Sequence, residues 1–175
     1  MPEKDVTYMK ILKTVIRLEV QKGHLKWSIS EVSRISGVTR SLIYYYFGQK
    51  KHEIMEEASS YLARNIFRLD TPREKDIAIT DRTEEVLKTF RENPYYFIHF
   101  YLHRNHAGRA GIRIRAAEKG FLKKLANEFP GLNNEQIRLI YILELGLLAY
   151  QDIEKDYLLW LKDFVEKAIR ATNRR

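Results

Sequence analysis

The chain has 175 residues, with 31 Lys and Arg against 23 Asp and Glu, for a net charge of +8. That length fits one large domain, or one small and one medium domain, and suffices to bury a core without metals or disulfides. Cysteine is absent, which excludes disulfide frameworks, thiolate metal sites and cysteine nucleophiles, and fits a reducing compartment.

Apolar residues recur at spacings of three and four throughout, and no β-type alternation, internal repeat or low-complexity run is present, so the chain reads as all-α. A first helix is expected from about Asp5 to Gln21, burying Met9, Leu12, Ile16 and Val20 and ending at Lys22-Gly23. Ser28 opens a second, and Glu31 three positions on makes a capping box, in which serine and glutamate satisfy each other's orphan amides. Gly37 closes that helix, Thr39 caps a third reaching about Tyr46, and Gly48-Gln49 turn the chain into a fourth from Lys50 to about Leu69. Thr71-Pro72-Arg73-Glu74 reads as another helix start, with proline in the first turn. Asp81 with Glu84 begins a fifth helix through Phe90, and Asn93-Pro94 a sixth to about His106. Gly108 and Gly111 loosen the entry to a seventh that ends near Phe129, before Pro130-Gly131. Asn133 with Gln136 caps an eighth helix to about Tyr150, and Asp152 opens the last, which ends before Asn173.

Charge is unevenly placed along these elements. Residues 1–52 hold 10 Lys and Arg against 4 Asp and Glu, whereas the remaining 123 hold 21 against 19. A basic head on a nearly neutral helical body suits a polyanionic partner, although the same charges also describe a solvated basic face. The start, Met1 to Asp5, lacks the apolar stretch of a secretion signal. The most apolar segment, Leu139 to Tyr150, is too short to span a bilayer and carries Glu144. A cytoplasmic protein with no membrane partner is therefore expected.

The second and third helices, joined at Gly37, have the spacing of a helix-turn-helix whose second member enters a DNA major groove. Val32, Ile35 and Val38 face the first helix, and Leu42, Ile43 and Tyr46 pack inward from the third. Gly37 permits the reversal in a left-handed conformation that a side chain would penalise. Thr39, Arg40, Ser41, Tyr44 and Tyr45 are left at the exposed start and flank of the third helix. An arginine there can fork onto guanine O6 and N7, a serine can bond base or phosphate, and an aromatic can touch a thymine methyl. The run Tyr44 to Phe47 also reads as a core cluster joining the third and fourth helices.

Gly37-Val38-Thr39, then Ile43-Tyr44-Tyr45-Tyr46-Phe47, then Lys50, with Ser28 and Val32 upstream, resembles the tetracycline-repressor (TetR) family of bacterial transcription regulators. The likeness covers roughly residues 8–56, and beyond them only length and helical character agree. It implies a DNA-binding domain over residues 1–49 and an effector-binding and dimerisation domain over residues 50–175. It implies that Ser28 holds a phosphate at the start of the second helix, with Ser30 close by. Arg40 and Ser41 would sit in the groove, Thr39 beside the backbone, Tyr44 and Tyr45 on phosphate or base methyls, and Lys50 on a phosphate at the start of the fourth helix. Several positions depart from the family's pattern. Ser33 and Ser36 replace alanines and need partners, such as the preceding turn's carbonyls. Leu42 stands for a threonine, Gly48 for a basic residue, and Lys51-His52 for an acidic pair, which bears on operator sequence and affinity.

In the body, Ile137, Ile140, Tyr141, Leu145 and Leu148 make one stripe of the eighth helix, widened by Ile142, Leu143 and Leu147. In the last helix, Leu158, Leu161, Phe164, Val165, Ala168 and Ile169 do the same. Helices this apolar need cover on more than one side, which a second subunit supplies, so a homodimer is expected through Tyr141, Leu145, Leu148, Leu158, Leu161, Phe164, Val165 and Ala168. Burial within one subunit is the alternative, and Gly146 would let two helices approach closely. An effector pocket is expected among Phe90, Tyr96, Phe97, Phe100, Tyr101 and His103, each of which ordinary core packing also explains. His99, His103 and His106 share a helix face, but no carboxylate lies among them at helical spacing, so they read as satisfied or solvated histidines. No metal or cofactor is assigned. The basic run Arg109, Arg113, Arg115 and Lys119 suits an anionic effector or a solvated face.

The function these features favour is a ligand-responsive, homodimeric repressor that binds a palindromic operator in double-stranded DNA and is released by a small molecule. No nucleophile elbow, phosphate loop, catalytic carboxylate pair or metal signature supports an enzyme. The alternative from another class is a helical adaptor whose basic head makes no operator-specific contact.

Overall fold

Ser28 and Thr39, the two expected caps, both have extended backbone and side chains that accept from the third residue of the helix that follows. In the computed structural model of this chain, which describes residues 3–67, 79–150 and 154–172, every regular element among those residues is an α-helix. They are α1 (Glu3–Lys22), α2 (Ile29–Ser36), α3 (Arg40–Phe47), α4 (Lys51–Ile66), α5 (Ile79–Glu92), α6 (Tyr95–Arg104), α7 (Arg109–Glu128), α8 (Asn134–Tyr150) and α9 (Lys155–Thr172). The expected starts at Thr71–Glu74 and Asp152, and the reach of the fourth helix to Leu69, lie outside the described residues.

The chain gathers into two compact units, Met1–Arg64 with Tyr95–Ala116, and Asn65–Pro94 with Ala117–Arg175. The division falls inside α4 and α7. In the first unit α1 packs on both α2 and α6, and α2 on α3. Its core holds Ile11, Leu12, Val15, Ile16, Trp27, Val32, Ile43, Ile54, Met55 and Phe100, all essentially inaccessible. Met9 and Val20, expected inside, are only half-buried because Ile11, Val15 and Leu18 share the inward face of α1. In the second unit α5 packs on α8 and α9, and α8 on α9, around Phe67, Leu87, Phe90, Phe121 and Leu161. Phe67 stacks on Phe121 with centroids 5.2 Å apart, and Tyr141 tilts against both rings.

Two helix ends differ from expectation for one reason. α6 stops at Arg104 rather than His106, and Gly111 lies inside α7 rather than before it. A Cβ on Gly111 would stand 2.1 Å from the His106 carbonyl oxygen and 2.6 Å from that of His103. The glycine therefore serves close approach between the end of α6 and the start of α7, where any side chain would strike backbone. Among the described residues no helix is long and apolar enough to cross a membrane.

Candidate nucleic-acid interface

The hydroxyl of Ser28 accepts from the Glu31 amide at 3.2 Å, and the Glu31 carboxylate accepts from the Ser28 amide at 2.9 Å, which completes the capping box. The Lys22 ammonium also meets Glu31. Hydrogen bonds from Lys22, then from the amide and hydroxyl of Ser28, hold the Glu31 carboxyl down to about 2. Gly37 ends α2 in the left-handed region, at φ 70°. A Cβ added to it would meet nothing, so it is the backbone conformation, not space, that favours glycine there. Ser36, one of the departures, donates to the Val32 carbonyl at 2.6 Å and so satisfies its own hydroxyl one turn back.

Val32, Val38 and Ile43 are buried, as their spacing predicts. Ile35 and Leu42 are not, being 37% and 36% exposed. Each of α2 and α3 has eight residues, two turns that offer one fully enclosed position apiece, and both side chains sit at the rim. Phe47 stacks on Tyr8 at 4.8 Å, and Tyr46 meets the same ring edge-on at 5.9 Å. The Tyr8 hydroxyl donates to Glu57 at 2.7 Å, tying α1 to α4, and burial followed by that carboxylate pushes its pKa up.

The remaining residues of this region form an exposed, cation-bearing surface at the start of α3. Thr39, Arg40 and Ser41 are exposed, and Tyr45 is 75% exposed. Tyr44, at 38%, lies flatter against the unit. Ser30 is exposed in the first turn of α2. Lys50 stands at the entry to α4 with its side chain 67% exposed, 3.3 Å from Glu53. Ser28 differs from its neighbours here, because its hydroxyl also donates to Glu31 at 3.0 Å and both its capacities are used inside the cap.

A second layer beneath this surface has no signature in the sequence. The Lys51 ammonium donates to the carbonyls of Leu25 at 2.6 Å and Trp27 at 3.0 Å, and stands over the Trp27 ring. The buried Glu19 carboxylate accepts from the Trp27 indole at 2.7 Å and from the Leu25 amide at 3.0 Å. Burial alone would raise Glu19, but hydrogen bonds from His103, the Leu25 amide, His24 and Trp27 outweigh it and bring the carboxyl down to about 2. These contacts fix the turn that delivers Ser28 to the start of α2. Lys51 lies 26 residues from Leu25, a separation that no local pattern reports.

The expected effector residues fall in both units. Phe90 belongs to the second unit, whereas Tyr96, Phe97, Phe100, Tyr101 and His103 belong to the first. Tyr96, Phe100 and His103 are buried on the inward face of α6, and Tyr101 is 47% exposed on the outer one. His99 is fully buried beside Ser59, its Nε2 3.0 Å from the hydroxyl. Burial, then the neighbouring His103, lowers its pKa to about 3. A pocket of about 20 Å³ in the second unit is lined by Phe67, Thr83, Phe121, Tyr141, Glu144 and Leu148 among others, room for one water.

Most of the expected interface residues of α8 and α9 turn inward. Tyr141, Leu148, Leu158, Leu161 and Val165 are at most 6% exposed; α5 packs on both helices, and Phe67 and Phe121 meet Tyr141. Leu145 and Phe164 are half-buried, and the side chain of Ala168 lies outside the described set. The opposite face carries Ile142 at 60%, Tyr150 at 81%, Tyr157 at 57% and Trp160 at 55% exposure. These residues, with Leu143, Gly146 and Leu147, line an open groove of about 670 Å³. A Cβ on Gly146 would meet nothing there. In the basic run, Arg109 and Arg113 pair with Glu56, and Arg115 bonds the carbonyls of Arg104 and His106.

No protein-family model matches the sequence, and no curated protein matches it. Solved structures do. A Rhodococcus sp. protein assigned as a TetR-family transcriptional regulator is similar over 94% of this chain and 99% of its own, at 17% identity and a TM-score of 0.66. A TetR-family transcription regulator from Marinobacter aquaeolei is similar over 98% of each chain, at 11% identity and a TM-score of 0.64. A Saccharomonospora viridis protein assigned as a transcriptional regulator, solved with choline, is similar over 93% of this chain and 96% of its own, at 17% identity and a TM-score of 0.64. The chain therefore has the all-α fold of the TetR-family regulators.

Proposed function

We propose that the chain is a DNA-binding transcription regulator, a homodimeric repressor that reads a palindromic operator with residues 1–49 and answers to a small molecule through residues 50–175. The observation that carries this reading is the start of α3, where Thr39, Arg40, Ser41 and Tyr45 are exposed together on a capped helix braced by a buried core. Such a helix start can enter a major groove, with Arg40 and Ser41 toward base edges. Ser30, Tyr44 and Lys50 would hold the flanking phosphates. Ser28 would serve them through its cap, which fixes the start of α2, more than through its occupied hydroxyl.

The exposed apolar groove of α8 and α9 supports a second copy at that face, since a patch of this kind on a soluble chain needs cover. A two-fold pair presents two reading heads, whose separation sets the half-site spacing. An effector that favours another separation would oppose DNA through a shared coupling energy.

Selection of bound duplexes from a random pool tests the reading. A two-fold symmetric consensus, bound at moderate salt, is the expected result. Enrichment of no sequence, with binding that fades steeply as salt rises, would leave only a basic head without an operator.

A further inference from the structure

We propose that Glu19, His24 and His103 form a binding site for a divalent transition-metal ion of the zinc class. The chain has five histidines; four of them form a cluster of neighbouring rings, and two of those four, His24 and His103, meet one carboxylate. His24 Nδ1 lies 2.6 Å from Glu19 Oε1, and His103 Nε2 lies 3.3 Å from the same oxygen. The three ligand atoms all fall within 4.8 Å of one another. The rings of His99 and His106 flank His103, with centroids 4.4 and 6.3 Å away.

The donors suit the ion. Two imidazoles and one carboxylate are the borderline N and O set that zinc takes, with a fourth position left for water. Bonds of about 2.0–2.2 Å in a tetrahedron set ligand atoms about 3.3 Å apart. The His103 contact has that spacing already. His24 would move off Glu19 and toward His103, whose ligand atom lies within 4.8 Å, and its half-exposed side chain, on a turn, has room to do so.

The support is built in. Glu19 Oε2 is held by the Trp27 indole and the Leu25 amide, which leaves Oε1 aimed at both rings, the outer-shell arrangement that orients a ligating carboxylate. Leu25 reaches Glu19 in the left-handed region, at φ 54°, a conformation costly for leucine and retained where surroundings over-determine it. The carboxylate missing among the α6 histidines at helical spacing thus comes from α1, 84 positions before His103. His106 is not counted as a ligand, because its Nδ1 accepts from the Gly108 amide. All three ligands lie in one compact unit, and the proposal does not depend on the DNA-binding reading.

The test is titration of the chelator-treated full chain with Zn(II) against a chromophoric competitor, and with Co(II) followed by visible absorption. One ion per chain is expected, with a zinc-dependent rise in melting temperature. His24→Ala, on an exposed residue that leaves the core intact, should weaken binding by more than the roughly 10–100-fold that loss of an outer-shell partner costs. Glu19→Gln should do the same, whereas His106→Ala and His52→Ala should leave affinity unchanged. Absence of saturable binding at micromolar zinc, or binding indifferent to both His24→Ala and Glu19→Gln, would overturn the site.

Discussion

The Lys51 ammonium donates to the Leu25 carbonyl across 2.6 Å, while the adjacent Lys50 leaves its side chain 67% exposed at the entry to α4. Two neighbouring lysines thus have opposite duties. Lys51→Ala should destabilise the fold by about 1–3 kcal/mol, since it strips a charged donor from two carbonyls. Lys50→Ala should change stability by less than about 0.5 kcal/mol. It should nonetheless weaken binding to every DNA sequence and reduce the salt slope by about 1. Urea denaturation and salt-dependent binding of the two variants separate these roles. Equal stability losses would refute the division.

Arg40 stands at the first position of α3 with an exposed side chain. If its guanidinium forks onto a guanine, Arg40→Ala should relax discrimination at that base pair by about 1–3 kcal/mol and leave other positions unchanged. Competition among single-base operator variants measures this. A uniform loss over all variants would move Arg40 from base to backbone.

Ile142, 60% exposed in the α8–α9 groove, should matter only between copies. Ile142→Glu should change the thermal stability of the single chain little, because most of the side chain is exposed. Sedimentation should then show monomers where a dimer is expected of the parent, and operator binding should fall with them. A dimer that survives this change would place the contact elsewhere.

Glu31 makes stability depend on acid in a defined direction. Its folded pKa, about 2, lies below the ordinary 4.5, so its contribution is complete above about pH 4.5 and is lost as pH falls through about 2. Glu31→Gln retains the reach of the side chain without its charge. The gap in melting temperature between parent and variant should therefore be widest near neutrality and close between about pH 4.5 and 2. A gap that stays constant over that range would assign the capping box to shape alone.

The sequence by itself determined the helices and the helix-turn-helix, because caps, turns and apolar spacing act over three or four residues. Ser28 with Glu31, Gly37, Thr39, and the burial of Val32 and Ile43 all follow from neighbours along the chain. Which face of a helix a second element covers is another matter. Periodicity shows a stripe on α8 and α9 but not what covers it: α5 packs on both helices and Phe67 and Phe121 meet Tyr141, so Tyr141 and Leu158 lie inside and Ile142 and Trp160 outside. Nor does it show that Lys51 caps a turn 26 residues away, or that Glu19 meets His103. Those pairings cost chain entropy that only tertiary packing repays, so the tertiary structure alone decided them.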